Sequence, residues 1–162
     1  MATTRSSVPF VRPGVQHDLP ALHDLARRTI DASYRPFLGD EAVDWFIGSG
    51  GSDQHITDHL AHGHVRVLHV GDDVAGLTIL DGDLLDLIMV DVSRHGQGLG
   101  GVLLADAEAQ LHQEHPVARL ESFEGNTAAL GFYLAHGWQE TSRIPAAGGM
   151  PARITLTKSR PA

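Results

Sequence analysis

Four glycines, at positions 96, 98, 100 and 101, crowd the start of a segment with helical patterning. A glycine turn that opens a helix presents backbone N–H groups, unshielded by side chains, at the positive end of the helix dipole. Such a turn can hold a phosphate or pyrophosphate. Arg94 and His95 stand at its entrance. Just upstream, Asp86 interrupts the otherwise apolar run Leu84 to Val90. A carboxylate there is either used in chemistry or satisfied by an ion pair. The chain also carries 11 histidines. His55, His59 and His62 can share one helix face, but no carboxylate stands among them at zinc-protease spacing. They read as solvated surface side chains, and no metal is expected.

The elements that must position these residues follow from periodicity. Phe10 to Arg12 form a short strand stopped by Pro13. A helix opens at Asp18, its N-cap, with Pro20 in the first turn and Leu19, Leu22, Leu25, Ala26 and Ile30 on its buried face. A second helix covers Asp40 to Ile47. Gly48 to Asp53 is a flexible link, and a third helix runs to Ala61. The period then changes to two. Val65 to His69, Val74 to Leu80 and Leu84 to Val90, joined by Gly71-Asp-Asp73 and Asp81-Gly82-Asp83, make an antiparallel meander. After the glycine turn, Val102, Leu103, Ala105, Ala109 and Leu111 give one helix face. Val117 to Ser122 is a strand, Asn126 to His136 a helix, and Trp138 to Ile144 and Ile154 to Thr157 the last strands. The class is α/β with a mixed sheet.

Bulk properties bound the function. A length of 162 residues suits one domain, here residues 8–158, with 1–7 a flexible N-terminus and 159–162 a tail. The absence of cysteine excludes disulfides, thiolate metal sites and a cysteine nucleophile. No run approaches the roughly 18 apolar residues of a membrane span, and no apolar leader begins the chain, so a cytoplasmic protein without a membrane partner is expected. A net charge of −8 argues against nucleic acid and suits a cationic partner such as an amine.

The pattern Gly96-x-Gly98-x-x-Gly101 also matches the dinucleotide fingerprint, with Glu121 where a ribose-binding acid would stand. Three features oppose that reading. Asp91 to His95 separate the strand from the first glycine. Helices and antiparallel hairpins precede the motif, and too little chain follows Glu121 for further parallel strands. A glycine-rich helix start without a ligand is the bland alternative, at a high cost in ordering entropy.

The segment His95-Gly-Gln-Gly98-Leu-Gly100 resembles the acetyl-CoA-binding motif of the GNAT superfamily of N-acetyltransferases, Arg/Gln-x-x-Gly-x-Gly/Ala. His95 stands where the family has its basic or amide residue. Asn126 to Trp138 resembles the family's Asn-x-x-Ala-x-x-Phe-Tyr-x-x-x-Gly-Phe helix, with Trp138 for the final Phe. The order of elements matches from about Phe10 to Leu156.

The resemblance implies the GNAT fold, a mostly antiparallel mixed sheet of six or seven strands flanked by helices. In it the strands Leu84–Val90 and Val117–Ser122 splay into a V. It implies acetyl-CoA as co-substrate and acetyl transfer to a primary amine by direct attack. The glycine turn, His95, Gly96, Gln97, Gly98, Leu99, Gly100 and Gly101, would hold the pyrophosphate, with His95 or Arg94 meeting it. Backbone groups of Met89, Val90 and Val92 would bind the acetyl carbonyl and pantetheine, and Asn126 would approach from the second helix. Tyr133 is the implied general acid and Glu121 the implied base, with Asp86 its rival and ordered water a third route. Tyr34 to Phe37, Trp45-Phe46 and the Pro145–Met150 loop would wall the acceptor pocket. The family is often dimeric, so a homodimer stays open. Two other functions stay open as well: a non-catalytic acyl-CoA-binding module and a nicotinamide oxidoreductase.

Overall fold

The computed structural model describes residues 8–162, so the expected flexible N-terminus lies outside it. Strand β1 (Phe10–Pro13) leads into a turn closed by Asp18. Its carboxylate accepts from the Val15 N–H and from both terminal nitrogens of Arg12, each at 2.8 Å. Asp18 therefore precedes α1 (Leu19–Ser33) but caps the turn before it, not the helix. All five residues assigned to the apolar face of α1 are buried.

A short turn of helix not anticipated from the sequence, α2 (Arg35–Leu38), follows. Arg35 gathers the carboxylates of Asp31, Asp40 and Asp44, joining α1 and α2 to α3 (Asp40–Gly48). Helix α4 (Gly51–Ala61) starts early. Only Ser49 and Gly50 remain of the expected link, and Gly50 makes the turn with φ +79°.

Strands β2 (Val65–Val70), β3 (Asp73–Asp81) and β4 (Leu84–Val90) form the antiparallel meander. Then come α5 (Leu99–Leu111), β5 (Val117–Phe123), α6 (Thr127–Ala135), β6 (Gln139–Ile144) and β7 (Arg153–Ser159). All seven strands join one sheet in the order β1-β2-β3-β4-β5-β7-β6, in which β4 and β5 are parallel and the other pairs antiparallel. A single parallel pair cannot build the crevice of a dinucleotide-binding sheet. Strand β7 ends at Ser159, and the Arg160 N–H donates to the Pro116 carbonyl at 2.8 Å. Ordered pairing thus passes the boundary expected at 158.

Helices cover both faces. Leu22, Leu25, Val43 and Ile56 pack on Val65, Val67, Leu77 and Ile79. On the other face Leu99 and Leu103 cover Leu68 and Ala75. Leu104, Ala107 and Leu111 join Tyr133 and Trp138 over Ala118, Leu120, Ile154 and Leu156. This corrects the face assigned to α5: Val102, Ala105 and Ala109 are exposed. The helix is apolar on most sides, so composition does not select its buried stripe. The row at steps of four from Leu99 does, because it lies over the sheet.

Two contacts lock this frame. Gly76 lets β3 and β4 approach α5 closely; a Cβ there would stand 2.6 Å from the Met89 carbonyl oxygen and 2.9 Å from Leu103 Cδ1. Glu108 on α5 accepts from Trp138 Nε1 at 2.8 Å and from Lys158 Nζ at 3.0 Å, fastening α5 to β7. Among the described residues no helix is long and apolar enough to cross a membrane.

Candidate active site

Strands β4 and β5 pair only through Leu84 with Arg119 and Leu85 with Leu120. Beyond those residues the two strands part. The gap opens into a cleft of about 1140 Å³, lined among others by Met89, Val90, Gly98, Asn126 and Tyr133. Along Asp86 to Val90 the edge of β4 facing this cleft has no strand partner. An extended ligand can pair with such an edge.

The glycine turn stands at one end. Gly96 and Gly98 adopt φ of +79° and +78°, and Gly98 immediately precedes α5. A side chain at either would meet nothing within 4 Å, so these positions need glycine for their backbone conformation and not for space. A Cβ at Gly100 would touch the Phe132 ring at 3.4 Å, so the first turn of α5 packs closely on α6.

Asp91, which the sequence reading passed over, anchors the turn. It is buried and accepts from Arg28 Nη1 at 2.8 Å and from the Ser93 N–H and Oγ at 3.1 and 3.0 Å. Burial alone would raise its pKa, but the Arg28 guanidinium and Ser93 outweigh this and hold it below the ordinary aspartate value. An aspartate two residues before a serine is a local turn signal, and it was legible in the chain.

The expected cofactor residues fall into two groups. Met89, Val90, His95, Gly96, Gly98, Leu99, Gly100, Gly101 and Asn126 all line the cleft. Val92 and Gln97 do not. Val92 turns away into a short helical turn (Val92–Arg94), and Gln97 sits between the two left-handed glycines with its side chain in solvent. The His95 ring folds back onto the Val90 carbonyl, 2.9 Å from its oxygen. Arg94 lines the cleft while paired with exposed Asp73 at 2.8 Å. Asn126 caps α6, its Oδ1 accepting from the Ala129 N–H at 3.4 Å.

Tyr133, Glu121 and Asp86 are brought to the same cleft. Burial, helped by Tyr34, raises the Tyr133 pKa well above the ordinary tyrosine range, so its phenol keeps its proton. Glu121 accepts from Arg153 Nη1 at 3.1 Å. Asp86 departs from the alternation of its strand. Ile79 faces Leu87 and Leu80 faces Leu85, so Asp86 is the unpaired residue of a β-bulge. Its side chain meets His55 Nε2 of α4 at 2.6 Å. His55 lines the cleft too. Of the neighbouring histidines, His55 and His62 are exposed as expected, whereas His59 and His64 are half-buried and in contact.

Tyr34, Trp45, Phe46 and Met150, expected on the acceptor side, line the cleft. Phe37 instead packs on Phe123, with ring centroids 5.7 Å apart, and fills the space beside Gly125.

Residues 36–152 match the profile of the acetyltransferase (GNAT) domain. The chain belongs to the GNAT acetyltransferase family. Membership makes it an acyltransferase. Solved structures agree on the fold. A GCN5-related N-acetyltransferase from Rhodopseudomonas palustris is 16% identical, with a TM-score of 0.81 over 98% of this chain and 100% of that one. The PaiA N-acetyltransferase from Thermoplasma acidophilum, solved with coenzyme A, is 15% identical, with a TM-score of 0.79 over 94% and 99%. The ribosomal-protein-S18-alanine N-acetyltransferase from Escherichia coli is 21% identical, with a TM-score of 0.69 over 94% of each chain. No curated protein sequence matches at a significant level.

Proposed function

We propose that this GNAT protein transfers the acetyl group of acetyl-CoA to a primary amine of a small molecule or peptide by direct attack. The observation that carries the reading is the continuity of the cleft. The unpaired edge of β4 and the glycine turn at the head of α5 line one continuous cleft, joined by the short turn Val92–Arg94. A thioester arm ending in a pyrophosphate has those two needs in that order. The coenzyme, when bound, supplies the activated acetyl thioester.

The residues suit that occupant. Gly96 and Gly98 leave the N–H groups of the turn open, and Arg94 adds a positive charge to the wall. On β4 the backbone from Asp86 to Val90 offers donors and acceptors, less the Val90 carbonyl that His95 occupies. Tyr133 holds its proton at any physiological pH and so serves only as an acid, delivering it to the departing thiolate. Glu121, at the mouth of the splay, takes a proton from the substrate ammonium, and the amine so freed attacks the thioester carbonyl. Of the two carboxylates, Asp86 is the one already bound to a histidine.

A panel of primary amines, followed by release of free CoA thiol and paired with calorimetric titration of acetyl-CoA, tests the reading. Binding with turnover of at least one amine class supports it. Binding without turnover favours the non-catalytic acyl-CoA module, and no binding removes both.

A further inference from the structure

We infer that His55, His59 and Asp86 form a site for one divalent transition-metal ion, of the Zn²⁺ class, on the acceptor wall of the cleft. His55 and His59 are four residues apart on α4, so both project from one side of the helix. The bulge in β4 turns Asp86 to meet them. One ligand atom from each of the three lies within 4.8 Å of the others. The His55 and His59 rings are 4.6 Å apart between centroids. Two imidazoles and one carboxylate with an open side make a donor set that suits Zn²⁺, Co²⁺ or Fe²⁺ and disfavours Mg²⁺ or Ca²⁺.

The geometry needs little adjustment. Ligands about 2.1 Å from a tetrahedral ion stand about 3.4 Å apart. His55 Nε2 and Asp86 Oδ2, now 2.6 Å apart, would separate by side-chain rotation alone. The contact between His59 Nδ1 and His64 Nδ1, at 2.9 Å, engages one nitrogen of His59 and leaves the other for the ion. Such outer contacts orient metal-bound imidazoles.

A competing set, His59, His64 and Asp81, shares His59. It is the poorer site. Asp81 is 53% exposed in its side chain against 22% for Asp86, and it stands 4.0 Å from His64 Nε2. Asp86 and His55 also line the cleft, so an ion there would offer its open positions to water or a neutral donor on the acceptor. The site stands on its own ligands and does not depend on the acetyl-transfer reading.

Titration of the untagged, metal-stripped full chain with Co²⁺, followed by visible absorption, provides the test without any activity measurement. The expected result is the intense band of four-coordinate Co²⁺, saturating at one equivalent and displaced by Zn²⁺. Asp86→Asn and His59→Gln should each lose the band, whereas His64→Ala and His62→Ala should keep it. Circular dichroism confirms that each variant is folded. No saturable band, or a band that survives Asp86→Asn, overturns the proposal. So does a band lost in His64→Ala and kept in His55→Gln, which would place the ion in the competing set.

Discussion

The imidazole of His95 donates from Nε2 to the backbone carbonyl of Val90 at 2.9 Å, tying the start of the glycine turn to the end of β4. A carbonyl only accepts, so the contact sets the tautomer of the ring. The residue at the family's pyrophosphate position thus braces the turn, and Arg94 is the cation beside it that lines the cleft.

That division of labour predicts unequal losses. His95→Ala removes one hydrogen bond of about 1 kcal/mol, so acetyl-CoA affinity should fall roughly fivefold. Arg94→Met removes a charge-assisted contact, and the loss should be about tenfold or more and smaller at high salt. Calorimetric titration separates the two. Unchanged affinity in Arg94→Met would remove Arg94 from the coenzyme site.

The acid and base should divide cleanly by kinetics. Tyr133→Phe should lower kcat about 100-fold or more while leaving acetyl-CoA affinity nearly unchanged. Equal loss of both would make Tyr133 a packing residue. Glu121→Gln should lower the rate most at acid pH, where the amine is protonated, and recover as pH rises. A uniform loss across the pH range would count against Glu121 as the base.

Acid stability should report on two buried aspartates. The Arg12 hydrogen bond lowers the folded-state pKa of Asp18. Asp91 is lowered too, its burial outweighed by Arg28 and Ser93. A depressed carboxylate contributes stability that is present above its unfolded pKa of about 3.9 and is lost as pH falls through the folded value. Asp91→Asn should therefore lower Tm at neutral pH, and the gap to the unaltered chain should narrow below about pH 4. Arg28→Met leaves the buried Asp91 charge without its partner; because Arg28 is partly solvated, about 1–3 kcal/mol is expected. Thermal melts across the pH series check both.

Gly76→Ala probes the packing under the cleft. Its φ is not positive, so the added methyl is opposed by packing, chiefly the Met89 carbonyl at 2.6 Å and Leu103 Cδ1 at 2.9 Å. Overpacking of that kind costs about 1–3 kcal/mol, which chemical denaturation would measure as a lower midpoint. A neutral result would mean that β3 and β4 can shift apart without cost.

Much of the site was legible because its signals are local. The glycine turn, the Asn126 cap and the apolar row of α1 each follow from residues a few positions apart. Glu121 and Tyr133, by contrast, rest on the family likeness, and Arg153, the ion-pair partner of Glu121, has no local signal. Arg153 lies 32 residues from Glu121 and meets it only because β7 enters the sheet beside β5. Glycine and serine suggest a loop before α4, yet Ser52 is buried in the first turn of that helix, where tertiary packing overrides local propensity.

The amino-acid sequence by itself determined most of the helices and strands, the antiparallel meander and the glycine turn ahead of α5. Those depend on period, turn chemistry and left-handed backbone, all settled within a few residues. Only the tertiary structure decided where Asp86 and His95 point. A one-residue bulge turns Asp86 out of the strand's alternation and onto His55, and a reversal of the chain brings His95 back to Val90. Register between strands is set by the packing of the whole sheet, and a slip of one residue exchanges its faces.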